Sequence, residues 1–169
     1  MKKSTKQQRT IGAIVKIPLE KEFYGYARIL KGTSFAFYDI RSKNELTDLE
    51  KIVSCSILFI VSVSAYAVTD GRWIKIGKLP LDNSFDILPP RYIQDLLSPE
   101  NYKIIYSDGT VKQAKKEECN RLERFAVWQP QHVEERLNDY FAGRKNRYLN
   151  QMNVDYTQED RFPKEKIAI

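Results

Sequence analysis

Histidine occurs once in this chain of 169 residues, at His132, and cysteine twice, at Cys55 and Cys119. A single imidazole removes every mechanism that needs a histidine pair, a histidine-rich metal site or two histidines exchanging protons. The cysteines lack the paired spacing of a metal knuckle or a redox motif, so reduced thiols in a cytosolic protein are expected. No GxxxxGK or GxGxxG stretch offers a phosphate cradle. Neither cofactor, metal nor small-molecule substrate is expected. Also missing is any apolar run long enough to cross a bilayer, and the start lacks the apolar core of a secretory signal. A cytoplasmic protein without a membrane partner is the expectation.

What is present suits one ordinary domain. With 42% hydrophobic residues the chain can build a core. The formal net charge is +6, a mild excess that fits a nucleic acid, a lipid headgroup surface or an acidic protein partner. Lys2, Lys3, Lys6 and Arg9 meet no acid in residues 1–10, which reads as a solvated, frayed arm. From residue 150 to 169 the composition is polar and reads as an extended tail. A single domain over residues 11–149 is expected between them.

Strict alternation from Ile11 assigns two faces. Ile11, Ala13, Val15, Ile17, Leu19, Phe23, Gly25, Ala27, Ile29, Phe35 and Phe37 point to the core. Lys16, Tyr24, Tyr26, Arg28 and Tyr38 occupy the other face, with apolar bodies and polar tips. Gly32-Thr33 turns the chain, so residues 11–40 form an antiparallel three-stranded meander. Thr47 and Glu50 match a capping box that starts a short helix before Ile52. The run "SILFIVSVSAYAV" reads as a strand buried on both faces at its start. Asp70-Gly71 and Asp108-Gly109 predict hairpins with type I′ turns. Between them "LPPRYIQDLLSPE" reads as a short helix with Ile93, Leu96 and Leu97 inside. A further helix is expected over "KKEECNRLER", and an amphipathic one over "PQHVEERLNDYFAG" that buries Val133, Leu137, Tyr140 and Phe141 and stops at Gly143. The fold class is then α+β, with a strongly curled antiparallel sheet of six or seven strands, a partial barrel, carrying two to four helices.

No constellation of catalytic residues stands out. His132 falls at the start of the amphipathic helix, where a partly exposed histidine near the cap is expected. Trp73 and Trp128 read as core fillers. Asp39, Glu45, Asp48 and Glu50 fall in or beside one loop and read as solvated. Tyr24, Tyr26, Arg28 and Tyr38 have three readings: a stacking platform for single-stranded nucleic acid, anchors for a protein partner, or a face that seats helices.

The stretches "IVKIPLEKEFYGYARIL", "FAFYDI" and "ILFIVSVSAYAVTDGRWIKIGKLPL" carry a resemblance. Ile17-Pro18-Leu19, Tyr24-Gly25-Tyr26, Phe37-Tyr38-Asp39 and Trp73 with Ile76-Gly77-Lys78 resemble the ordered strand motifs of the immunity protein twenty-six family of bacterial polymorphic-toxin systems. The likeness extends in this reading to Gly143. It implies a non-enzymatic cytosolic antitoxin that binds the C-terminal toxin domain of a contact-dependent or secreted effector. The shared motifs report the fold, so no recognition residue is carried over. The partner surface read from the residues themselves comprises Tyr24, Tyr26, Arg28, Tyr38, Asp39, Glu45, Asp48 and Glu50. Inhibitors of basic nucleases are usually acidic, so a net charge of +6 implies either a toxin that is not strongly basic or contact through the acidic members of that set. The rival reading is a nucleic-acid-binding β-barrel module using the basic, aromatic face.

Overall fold

The computed structural model describes residues 6–152 and 154. They form a mixed α+β structure of ten strands in two sheets and four α-helices, divided into two compact units. The described residues up to Phe85 together with Val127–Asn138 make the first unit; Asp86–Ala126 and the described residues from Asp139 make the second.

Alternation at the start of the chain produces the expected meander. The strands β1 (Ala13–Pro18), β2 (Tyr24–Ile29) and β3 (Ser34–Ser42) pair antiparallel in sequence, with Val15 opposite Ala27 and Ala27 opposite Phe37. Strand β4 (Ile57–Val63) adds antiparallel to β3, and β5 (Ile74–Lys78) adds antiparallel to β1 on the opposite edge. The two-residue strand β10 (Val127–Trp128) pairs parallel to β4 and completes the order β10-β4-β3-β2-β1-β5.

Both faces of this sheet are covered. On one, Phe37 stacks on Phe59 with centroids 4.7 Å apart, and Trp73 meets Phe35 and Phe37 edge-on at 5.6 and 5.8 Å. Helix α3 (Pro130–Ala142) closes this side: Val133 and Leu137 are buried, and the Arg136 guanidinium lies 3.6 Å from the Phe59 centroid. On the other face helix α1 (Leu49–Val53) buries Ile52 against Ile14, Tyr26 and Tyr38. Its cap is Asp48, which accepts from Lys51 N at 3.0 Å, one residue beyond the expected Thr47.

Two expectations change here. The chain from Tyr66 to Thr69 is a helical turn, α2, where strand and hairpin were expected. Strand β4 already has β3 and β10 as neighbours, so the chain leaves it, buries Ala67 and Val68, and crosses to pair with β1. In the arm expected to fray, Gln7 donates to Val68 O and Trp73 O and accepts from Lys75 N, while Arg9 donates to Leu30 O and Ser34 O. These bonds tie the arm to backbone groups of α2, the β2–β3 turn and the start of β5. Residues 1–5 of that arm lie outside the described residues, as does most of the tail.

The second unit has its own sheet, in the order β8-β7-β6-β9: β6 (Arg91–Gln94), β7 (Tyr102–Ile105), β8 (Val111–Ala114) and β9 (Glu123–Arg124), the last parallel to β6. Tyr92, Tyr102, Ile104 and Cys119 form its core. The Asp108-Gly109 hairpin is present, but only Gly109 has positive φ (87°), and Gly109 N donates to Tyr106 O. That is a type I turn closed by a left-handed glycine rather than type I′. Residues 90–98 are not a helix. Pro89 and Pro90 favour extended backbone, Tyr92 enters the core through β6, and Leu96 and Leu97 stand 85% and 95% exposed on a loop whose backbone Asp95 caps. The expected "KKEECNRLER" helix is a short 3-10 turn at Lys116–Cys119 followed by β9. Helix α4 (Arg147–Met152) was not foreseen; Asn146 caps it by accepting from Leu149 N, and donates to Asp139 Oδ2.

The single curled antiparallel barrel is therefore corrected. Two open, mixed sheets of six and four strands replace it, neither strongly curled nor closed. The reason is local: the segment after Phe85 carries enough aromatic and aliphatic residues to nucleate a separate core, so its strands pair among themselves.

Candidate partner-binding surface

The polar-tipped face of the meander is mostly interior. Tyr26 is fully buried on β2; its hydroxyl lies 2.8 Å from Ser42 Oγ and accepts from Leu46 N at 2.9 Å, which pins the loop before α1 onto the sheet. Arg28 is 3% exposed and donates from one terminal nitrogen to Leu79 O and Pro80 O at 2.8 and 2.5 Å. Its guanidinium also lies 5.8 Å from the Phe85 centroid. Burial pushes the Tyr38 phenol above its ordinary pKa, opposed by a hydrogen bond from Arg28. Of the three readings of this face, seating the helix and loop describes Tyr26, Arg28 and Tyr38, and a nucleobase has no open tyrosine platform there. Tyr26→Phe is expected to cost about 1 kcal/mol, because Leu46 N–H loses its acceptor. Thermal melts of the two proteins check this.

Tyr24 differs, for it sits half-buried at the start of β2 with Lys16 Nζ 4.7 Å from its ring centroid. Lys16 also bridges to Glu45 at 2.5 Å. The four acids serve separate local tasks. Glu45 holds Lys16, Asp48 caps α1, Glu50 lies in the first turn of α1, and Asp39 is half-buried on β3 with its backbone N–H bonded to Ser56 O. Burial, and next the Asp39 charge, raise the Cys55 thiol pKa.

Near Tyr24 the structure gathers residues that sequence reasoning had divided between core and loop. The β1–β2 turn places Lys21 (φ 55°, ψ 35°) and Glu22 (φ 61°) in the left-handed region. A non-glycine residue there costs roughly 1–2 kcal/mol. Phe23 follows, and its ring carries the Arg41 guanidinium at 4.4 Å and the Lys43 ammonium at 5.7 Å. Phe23 was read as a core position from its parity. Its place at the hairpin end, directly after Glu20, Lys21 and Glu22, was the signal that it lies half-exposed.

His132 is half-buried in the first turn of α3, as expected near the cap. Trp73 and Trp128 are buried core residues. Among the described residues no group of three or more His, Cys, Asp or Glu is placed to hold a metal ion, and no helix is long and apolar enough to cross a membrane.

Residues 10–103 match the family model described as Immunity protein 26. The chain belongs to that family. The match spans the first sheet up to β5 and continues through β6 into β7, and it ends well before α3, so the likeness read as far as Gly143 is corrected to residue 103. No curated protein and no solved structure matches the chain. Members of the Immunity protein 26 family are immunity proteins and not enzymes, which gives this chain an immunity role against a toxin and no catalytic one.

Proposed function

We propose that the protein neutralises a cognate toxin by binding the C-terminal toxin domain of a polymorphic or contact-dependent effector in a tight one-to-one complex, in the bacterial cytoplasm. The observation that carries this reading is membership of the Immunity protein 26 family over residues 10–103. A neutralising protein needs no turnover, only a rigid complementary surface. A standard interface of about 1,600 Å² with a few aromatic or arginine anchors reaches nanomolar affinity. A six-stranded sheet covered on both faces is a suitable rigid scaffold. Of the eight residues expected at the partner surface, Tyr24, Asp39, Glu45, Asp48 and Glu50 keep exposed or half-exposed side chains and remain candidates for contact.

The test is co-expression with the toxin domain encoded beside this chain. Cells carrying both are expected to survive, and the two proteins to elute as one complex; cells carrying the toxin domain alone are expected to die. Survival without a complex overturns inhibition by binding.

A further inference from the structure

A strained turn and a pair of cations on one aromatic ring meet at one end of the first sheet. Lys21 and Glu22 hold left-handed backbone at a tight turn where Asn-Gly would sit without steric strain. Both side chains are exposed, so packing does not select them. Beside them the Arg41 guanidinium and the Lys43 ammonium both lie against the ring of Phe23. The turn is firmly braced nonetheless. Leu19 N donates to Phe23 O at 2.8 Å, and Glu20 N donates to Asn138 Oδ1 of α3 at 2.9 Å. Backbone strain that surrounding structure maintains at an exposed site, beside two cations held on one aromatic ring, points to recognition, where a fixed shape reduces the ordering cost of binding.

We propose that the β1–β2 turn, with Lys21, Phe23, Arg41 and Lys43, is the surface on which the toxin domain docks, and that it meets an acidic face of that domain. The inference rests on the immunity reading above and adds the site and the chemistry of the partner. Carboxylates are the groups that complement cations held over an aromatic ring, while Phe23 supplies flat apolar area between them. Positive charge here matches the net charge of +6 and speeds capture of an acidic toxin. It also resolves the charge problem without the acidic residues, three of which are engaged in an ion pair, a helix cap or a strand.

Two variants test it against the toxin domain encoded beside this chain, by association kinetics over a salt series. K21E/K43E reverses two exposed charges; its melting temperature is expected to stay near that of the wild type while its association rate at low salt falls at least tenfold and becomes less salt-dependent. K21N/E22G relieves the backbone strain while keeping the turn shape and removes the Lys21 charge; it is expected to melt higher than the wild type and to associate several-fold more slowly at low salt. Wild-type binding by either variant overturns the assignment of the surface. A wild-type protein that does not bind the domain overturns the immunity complex itself, so the two failures are distinguishable.

Discussion

Alanine at Trp73 is expected to destabilise the protein by about 3–5 kcal/mol, the range for removing a large aromatic from a packed interior. The indole is fully buried and makes near-perpendicular ring contacts with Phe35 and Phe37. Its Nε1 donates to Glu134 Oε1 at 2.8 Å, and the same carboxylate takes Arg72 through Nε at 2.7 Å and a terminal nitrogen at 2.6 Å. Alanine thus opens a cavity between the sheet and α3 and removes one donor from a partly buried carboxylate. Urea unfolding followed by near-ultraviolet circular dichroism measures the loss. Glu134→Ala is expected to cost less, about 2 kcal/mol, since it leaves the indole N–H unpaired but keeps the ring packed. The double variant should fall short of the sum by about 1 kcal/mol, as the two side chains share one hydrogen bond. A loss below about 1 kcal/mol for Trp73→Ala would show that this side of the sheet is loosely packed.

Trp73 also marks what could be read from the residues. Its burial was read from residue type, while the three-strand meander and α3 were legible because each rests on a long periodic pattern: eleven alternating positions from Ile11, and Val133 with Leu137 four apart. The short apolar segments were not. "RYIQDLL" contains enough aliphatic residues for two helical turns, and only pairing of Tyr92 and Ile93 with Ile104 and Lys103 makes it a strand. Such a pairing is non-local, and no window of sequence reports it. The parallel pairs β4–β10 and β6–β9 were invisible for the same reason, being two residues each.

The candidate site fared similarly. Alternation correctly placed Tyr26, Arg28 and Tyr38 on the face opposite Phe35 and Phe37, but parity does not say what lies above a face. Here α1 and the loop at Leu46 cover it. Polar tips on those tyrosines were therefore partners for interior hydrogen bonds rather than for solvent. The cluster around Phe23 was missed because the cations come from β3 and the ring from the turn, far apart in sequence and joined only by the antiparallel register that sets Arg41 opposite Gly25.

Gly12→Ala is expected to cost about 3 kcal/mol, the sum of a backbone penalty and a steric one. Gly12 has φ 84°, so any L side chain is strained there, and a Cβ would lie 2.6 Å from the carbonyl oxygen of Leu79. That oxygen belongs to the main chain and has little freedom. It accepts from the buried Arg28 at 2.8 Å, while Leu79 N donates to Gly12 O at 3.2 Å and Gly12 N donates to Ile29 O at 2.8 Å. Moving it disturbs the closure of β1 on β5 and loosens the charge buried beneath. Gly32→Ala isolates the first contribution: its φ is 63° and nothing lies within 4 Å of the new methyl, so only the backbone penalty of about 1 kcal/mol is expected. Denaturant midpoints for both variants test the difference. Equal losses would mean that Leu79 yields freely and that Arg28 does not depend on its position.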